Sequence, residues 1–169
     1  YNPLSATVPV ARTVGFTHSF LRPSASHIVV GQTSLVRLAG LVPVDSLVLE
    51  SAGLVLAYKK GERSTSRMGL RSTIHDLLSE HGPSNPKKNG FFTQKSKDPY
   101  VGMEPAEKVW SKVADKAIPL LVSANRVDDI AAVISLQKEF SIRLVLVGGA
   151  EAWLLADRLA EAKIPVILG

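Results

Sequence analysis

An α/β fold built on a parallel sheet is what this sequence predicts, and three observations carry the prediction. Near the C-terminus the chain writes almost the same phrase three times, Ile118-Pro-Leu-Leu-Val-Ser123, Ile142-Arg-Leu-Val-Leu-Val-Gly148 and Ile164-Pro-Val-Ile-Leu-Gly169, with starts 24 and 22 residues apart. Each copy is a continuous apolar run ending in a small or polar residue, as a strand covered on both faces reads. Between the copies the apolar spacing is helical, so strand, helix, strand, helix, strand implies right-handed parallel crossovers. An open doubly wound sheet and a piece of a closed barrel both satisfy this pattern, and periodicity does not separate them.

At 169 residues and 46% hydrophobic the chain suffices for one core, a single domain over 1–169, and falls short of a complete eight-stranded barrel of ~250 residues. Tyr1 at one end and Gly169 directly after a strand at the other read as a piece of a longer protein. The absence of cysteine excludes disulfides, thiolate nucleophiles and thiolate-ligated zinc. No apolar run approaches the ~20 residues of a membrane-spanning helix. The expectation is a soluble chain, cytoplasmic or periplasmic, with no membrane partner.

The net charge of +5 is concentrated in residues 51–100, which hold nine basic and four acidic groups. Ser, Gly and Pro dilute that region and no aromatics interleave at stacking spacing, so a solvated loop outweighs a nucleic-acid site.

Leu4 to Val14 has the pattern of a short helix, with Ser5 as N-cap, Pro9 confined to the first turn and Gly15 as the stop. Phe16 to Leu21 alternates as a strand ending at Arg22-Pro23. Short β-like runs follow at Ile28–Val30, Leu35–Leu38, Ser46–Glu50 and Gly53–Tyr58, which suggest β-hairpin insertions on the edge of the architecture. Ser66 to Leu78 is an amphipathic helix by its apolar spacing, and Glu104 to Lys116 resumes one. Residues 82–102 between them, rich in Pro, Lys, Asn and Gly, read as a mobile loop or insertion. In the repeated region Asn125 is placed to cap a helix whose first turn holds Asp128 and Asp129, acids that meet the positive end of the helix dipole. A second helix runs from about Glu151 to Ala162.

Either parallel architecture binds ligands at the C-terminal ends of its strands. The substrate-cavity candidates are therefore Ser123, Asn125 and Arg126 after the first strand, and Gly148, Gly149 and Glu151 after the second. Gly148-Gly149 could expose N–H groups to an anion, but the three-glycine dinucleotide fingerprint and the phosphate-binding Lys-Ser/Thr motif are absent, which favours a tight turn. Ser123 lacks a histidine base anywhere in its half of the chain and reads as a small turn residue. The four histidines lie at 18, 27, 75 and 81 without metal-ligand spacing, so no metal site follows from the chain's own residues. His18, near the end of an early strand, is the remaining acid-base or ligand candidate. Arg67 and Arg71, one helical turn apart, could hold a carboxylate together, with solvated charges as the default.

The stretch Pro119-Leu-Leu-Val-Ser-Ala-Asn-Arg-Val-Asp-Asp-Ile130, with Lys138 to Trp153 and Ala156 to Leu168, resembles the middle of imidazolonepropionase-like members of the amidohydrolase superfamily. Pro9 to Thr17, Pro23, Gly31 to Leu38 and Ser66-Arg-Met-Gly69 are similar to earlier parts of that family. The resemblance covers most of the chain except 82–102, and it implies a partial (β/α)8 TIM-barrel-like sheet with a divalent, zinc-like metal that activates water against C–N bonds of a small-molecule substrate. The family's His-x-His pair would precede Tyr1 and its late-strand Asp would follow Gly169. Its two intermediate histidines fall at the strands ending in Ser123 and Gly148-Gly149, where this chain has none. The resemblance thus implies an interior fragment, inactive alone, of a C–N hydrolase or a degenerate relative, associating with the missing parts of the barrel or with its own copies. The alternative is a non-catalytic α/β module that binds a small ligand or partner through its strand-end loops.

Overall fold

A computed structural model describes residues 1–24, 27–58, 66–81 and 105–168; the loop expected at 82–102 lies outside them. Its elements are α1 (Thr7–Thr13), β1 (His18–Leu21), β2 (Val29–Arg37), α2 (Pro43–Ser46), β3 (Leu47–Ala57), α3 (Arg67–His81), α4 (Pro105–Ala114), β4 (Leu120–Ala124), α5 (Val127–Phe140), β5 (Leu144–Gly148), a 3-10 turn (Ala152–Leu155), α6 (Ala156–Glu161) and β6 (Val166–Leu168). The six strands form one sheet in chain order. β1, β2 and β3 pair antiparallel, and β3 through β6 pair parallel, which makes a mixed, curled half-barrel.

The hairpin stands at one margin of the sheet, as expected, but it is continuous with the parallel ladder rather than inserted into it. The four short β-like runs fuse into the two long strands β2 and β3, and β3 continues into the parallel ladder through pairs such as Leu54 with Leu120 and Ala57 with Ser123. Register shifts between Thr33 and Leu35 and again before Val36 absorb the irregular middle of the β2–β3 pairing, so Ser51 and Ala52, between the two expected runs, stay in the strand. Gly53 permits the close approach of the next strand. A Cβ there would collide with the Leu121 side chain and lie 3.0 Å from the Pro119 carbonyl oxygen.

Alternation along the parallel strands sends Leu54, Leu56, Leu120, Val122, Leu144 and Leu146 toward the helices. There they meet Leu70, Ile74 and Leu78 of α3, Val109, Trp110 and Val113 of α4, Ile130, Val133 and Ile134 of α5, and Leu159 of α6. This is the main core. The opposite face carries a smaller apolar cluster, Val55, Leu121 and Val147 with Val30 and Val145 beside them.

Helix ends depart from the expected capping. α1 starts at Thr7 behind Ala6 with no side-chain cap, because the Ser5 hydroxyl is engaged with the Thr7 hydroxyl at 2.9 Å. The expected second helix divides into the 3-10 turn and α6. Behind α4, α5 and α6 stand Lys116, Ser141 and Lys163, with φ of 59°, 50° and 53°, each one or two residues before the isoleucine that opens the next strand phrase. A left-handed residue reverses the chain at these points and is costly for any side chain. Ser141→Gly is expected to raise stability by about 0.5–1 kcal/mol in urea unfolding. Lys116→Gly and Lys163→Gly should gain less, since each also removes a cation from a helix C-terminus.

Candidate functional site

The C-terminal ends of β3 and β4 border an open cleft of about 350 Å³, lined by Tyr58, Arg67, Ser123, Asn125, Arg126 and Asp129 among others. Ser123 follows the alternation onto the sheet face of Leu121 and Val147, in register with Ala57 on one side and Val147 on the other. Its carbonyl accepts the Tyr58 N–H at 2.9 Å, which holds the chain leaving β3 against β4.

Asn125 does not cap α5. Its side-chain Oδ1 instead faces the next strand end, accepting the Ala150 N–H at 3.4 Å, while its carbonyl accepts the Glu151 N–H at 2.9 Å. Arg126 occupies the N-cap position without a side-chain cap, and the cap comes from a distant part of the sequence. The Val127 N–H donates to Glu151 Oε2 at 2.7 Å. A carboxylate there both satisfies an orphan donor and meets the positive end of the helix dipole. Gly149 N–H donates to the Ala124 carbonyl at 2.9 Å, so both glycines sit in a turn tied to the β4 end, with φ of +94° for Gly148 and +68° for Gly149. The structure therefore unites Ser123, Asn125, Arg126, Gly148, Gly149 and Glu151 at one pole. It places His18 at the other, because β1 runs parallel to β3 and starts opposite Arg37 at the end of β2.

Three residues of the cleft, Tyr58, Arg67 and Asp129, were not among the strand-end candidates, although Arg67 was read with Arg71 as able to hold a carboxylate. The Arg67 guanidinium reaches Asp128 at 3.5 Å and Asp129 at 3.7 Å, and Arg126 approaches Asp128 at 3.9 Å. Asp129 is buried, its side chain 12% exposed, so its pairing with Arg67 matters more than the exposed one of Asp128. Tyr58 packs against the helix-side core and its hydroxyl is buried without a hydrogen-bond partner among the described residues. Burial pushes its pKa up to about 12, with Arg71 opposing and Asp129 adding to the rise. Tyrosinate is thus disfavoured in the fold and free to form in the unfolded chain. Stability is fully present below the unfolded value near 10 and falls as pH rises toward about 12. Tyr58→Phe should leave neutral-pH stability unchanged or slightly higher and remove that alkaline loss, as urea midpoints across pH 9–12 would show.

The residues at these strand ends do not fit a divalent metal. The side chains in register toward the open face are Ala57, Ser123 and Val147, and Gly148 has none. Among the described residues no group of three or more His, Asp or Glu is placed to hold one. His75 is spent on Glu139 at 2.8 Å and on the edge of Phe140, and His81 stacks on Trp110 at 5.4 Å. The described residues also include no helix long and apolar enough to cross a membrane.

Four parallel strands backed by helices on one face, with a lined cleft at the strand C-termini, define the class: an α/β fold with a curled, half-barrel sheet. The fold is amidohydrolase-like. The whole chain superposes on part of an amidohydrolase from Thermotoga maritima MSB8, with a TM-score of 0.84 and 27% sequence identity. The chain spans 46% of the length of that protein. No protein-family model matches the sequence. No curated protein matches it either.

Proposed function

We propose that this chain is an interior portion of an imidazolonepropionase-like amidohydrolase whose intact form hydrolyses C–N bonds of small amides or cyclic amides with a metal-activated water. The observation that carries this reading is the coverage of the entire chain by one half of an amidohydrolase fold at 27% identity. In this reading residues 1–169 supply the wall and the strand-end loops of the cavity, and any metal is held by side chains beyond them. Ser123 and Gly148 in place of ligands make the parent a hydrolase with a reduced ligand set or a relative that has lost catalysis.

One observation favours a second reading, a non-catalytic binding module: the β4 and β5 ends are tied together by Asn125 and Glu151 rather than left free to coordinate. Metal analysis and turnover of cyclic amides and dipeptides, on the 169-residue chain and on a longer parent, test both. The expected result is a metal-free, inactive 169-residue chain and a parent with stoichiometric metal and turnover. A metal-free, inactive parent that still binds small ligands would select the module, and a fully active 169-residue chain would sink the fragment reading.

A further inference from the structure

At the pole opposite the strand C-termini, where α1 ends, β1 begins and β2 ends, lies a cavity of about 460 Å³. Its lining includes Arg12, Gly15, Phe16, His18, Arg37 and Leu38, and no acidic residue. Neither guanidinium has a carboxylate partner among the described residues.

Two of these side chains, Arg37 and His18, are held rather than loose. Arg37 Nε donates to the Asp45 carbonyl at 2.9 Å, which anchors the guanidinium by its inner edge and leaves its two terminal nitrogens, unpartnered among the described residues, to act as a fork. His18 stands directly across the ladder from Arg37, so the two project from the same face of the hairpin. Its Nδ1 is 2.9 Å from the Thr17 hydroxyl, which orients the ring and leaves Nε2 without a hydrogen-bond partner among the described residues. Gly15, at φ +99°, turns the chain out of α1, and nothing lies within 4 Å of where its Cβ would be. The mouth is therefore open. Leu38 is buried at the floor and Phe16 is 62% exposed at the rim.

Cationic groups that converge on one concavity without a counter-charge raise its potential and favour an anion, while an exposed aromatic ring at the rim supplies apolar area. We propose that this cavity binds a small molecule bearing an oxyanion, phosphate or carboxylate, on an apolar body. Arg12 and Arg37 take the oxyanion, His18 borders it, and Phe16 covers the apolar part. The site shares no residue with the strand-end cleft.

Titration of the 169-residue chain with phenyl phosphate, benzoate and inorganic phosphate, followed by NMR or calorimetry, tests this. Saturable binding of phenyl phosphate or benzoate is expected, and the stronger of the two identifies the anion. The Arg12→Gln/Arg37→Gln double variant should weaken it about 10-fold or more, the scale of lost charge-assisted hydrogen bonds. Lys116→Gln/Lys163→Gln removes the same charge at the same pole but outside the cavity, and should change affinity by less than about twofold. Phe16→Ala should weaken phenyl phosphate and spare inorganic phosphate. No saturable binding of any probe, or an equal loss in the two double variants, overturns the proposal.

Discussion

Gly148→Ala is expected to lower stability by about 1.5–3.5 kcal/mol, through two separable effects. A φ of +94° is strained for any residue with a Cβ, at about 1–2 kcal/mol. The new Cβ would also lie 2.5 Å from Asn125 Oδ1, so the Asn125 side chain has to swing away and give up the hydrogen bond it accepts from the Ala150 N–H, at about 0.5–1.5 kcal/mol. Asn125→Ala already lacks that oxygen, so in its background Gly148→Ala should cost only the φ strain. Urea midpoints at constant slope would read both. A loss below about 1 kcal/mol for the single variant would show that the β5 turn does not depend on glycine. The strand end that lacks a ligand side chain is thus a position where, by this geometry, a side chain is not readily accepted.

Leu146→Ala should cost about 2–5 kcal/mol, the range for a large buried aliphatic replaced by alanine. Leu146 is 0% exposed in the middle of β5, between Val122 of β4 and Val166 of β6, and it belongs to the helix-side core. Leu168→Ala, 76% exposed on the edge strand β6, is the matched control and should change stability by less than about 0.5 kcal/mol. Equal effects at the two positions would mean that β6 is covered in solution and that the core is not where the burial pattern puts it.

The parallel unit was legible because its physics is local. Strands buried on both faces must be apolar throughout, and intervening helices must present a stripe, so Ile118 to Leu168 announces β4, α5, β5, α6 and β6 by composition alone. The strand-end rule then pointed to Ser123, Asn125, Arg126, Gly148, Gly149 and Glu151, which do meet at one pole. The hairpin was legible at the edge but not its continuity with the parallel ladder, because Ser51-Ala52 separates two apolar runs locally and only the neighbouring strands hold the whole of β3 extended. Helix capping was misread for a related reason. The acceptor for the Val127 N–H comes from Glu151, 24 residues away, and no local window contains both.

The sequence by itself determined the parallel α/β class, the positions where its strands stop, and the absence of histidine at two of them. Those are properties of a single stretch of chain. Only the tertiary structure decided that Tyr58, Arg67 and Asp129 share the cleft, that Glu151 caps α5, and that His18 stands at the opposite pole with Arg12 and Arg37. Each of those facts depends on the direction and register in which strands pair. Pairing is a long-range choice made by the burial of a common core, and it is written in no residue singly.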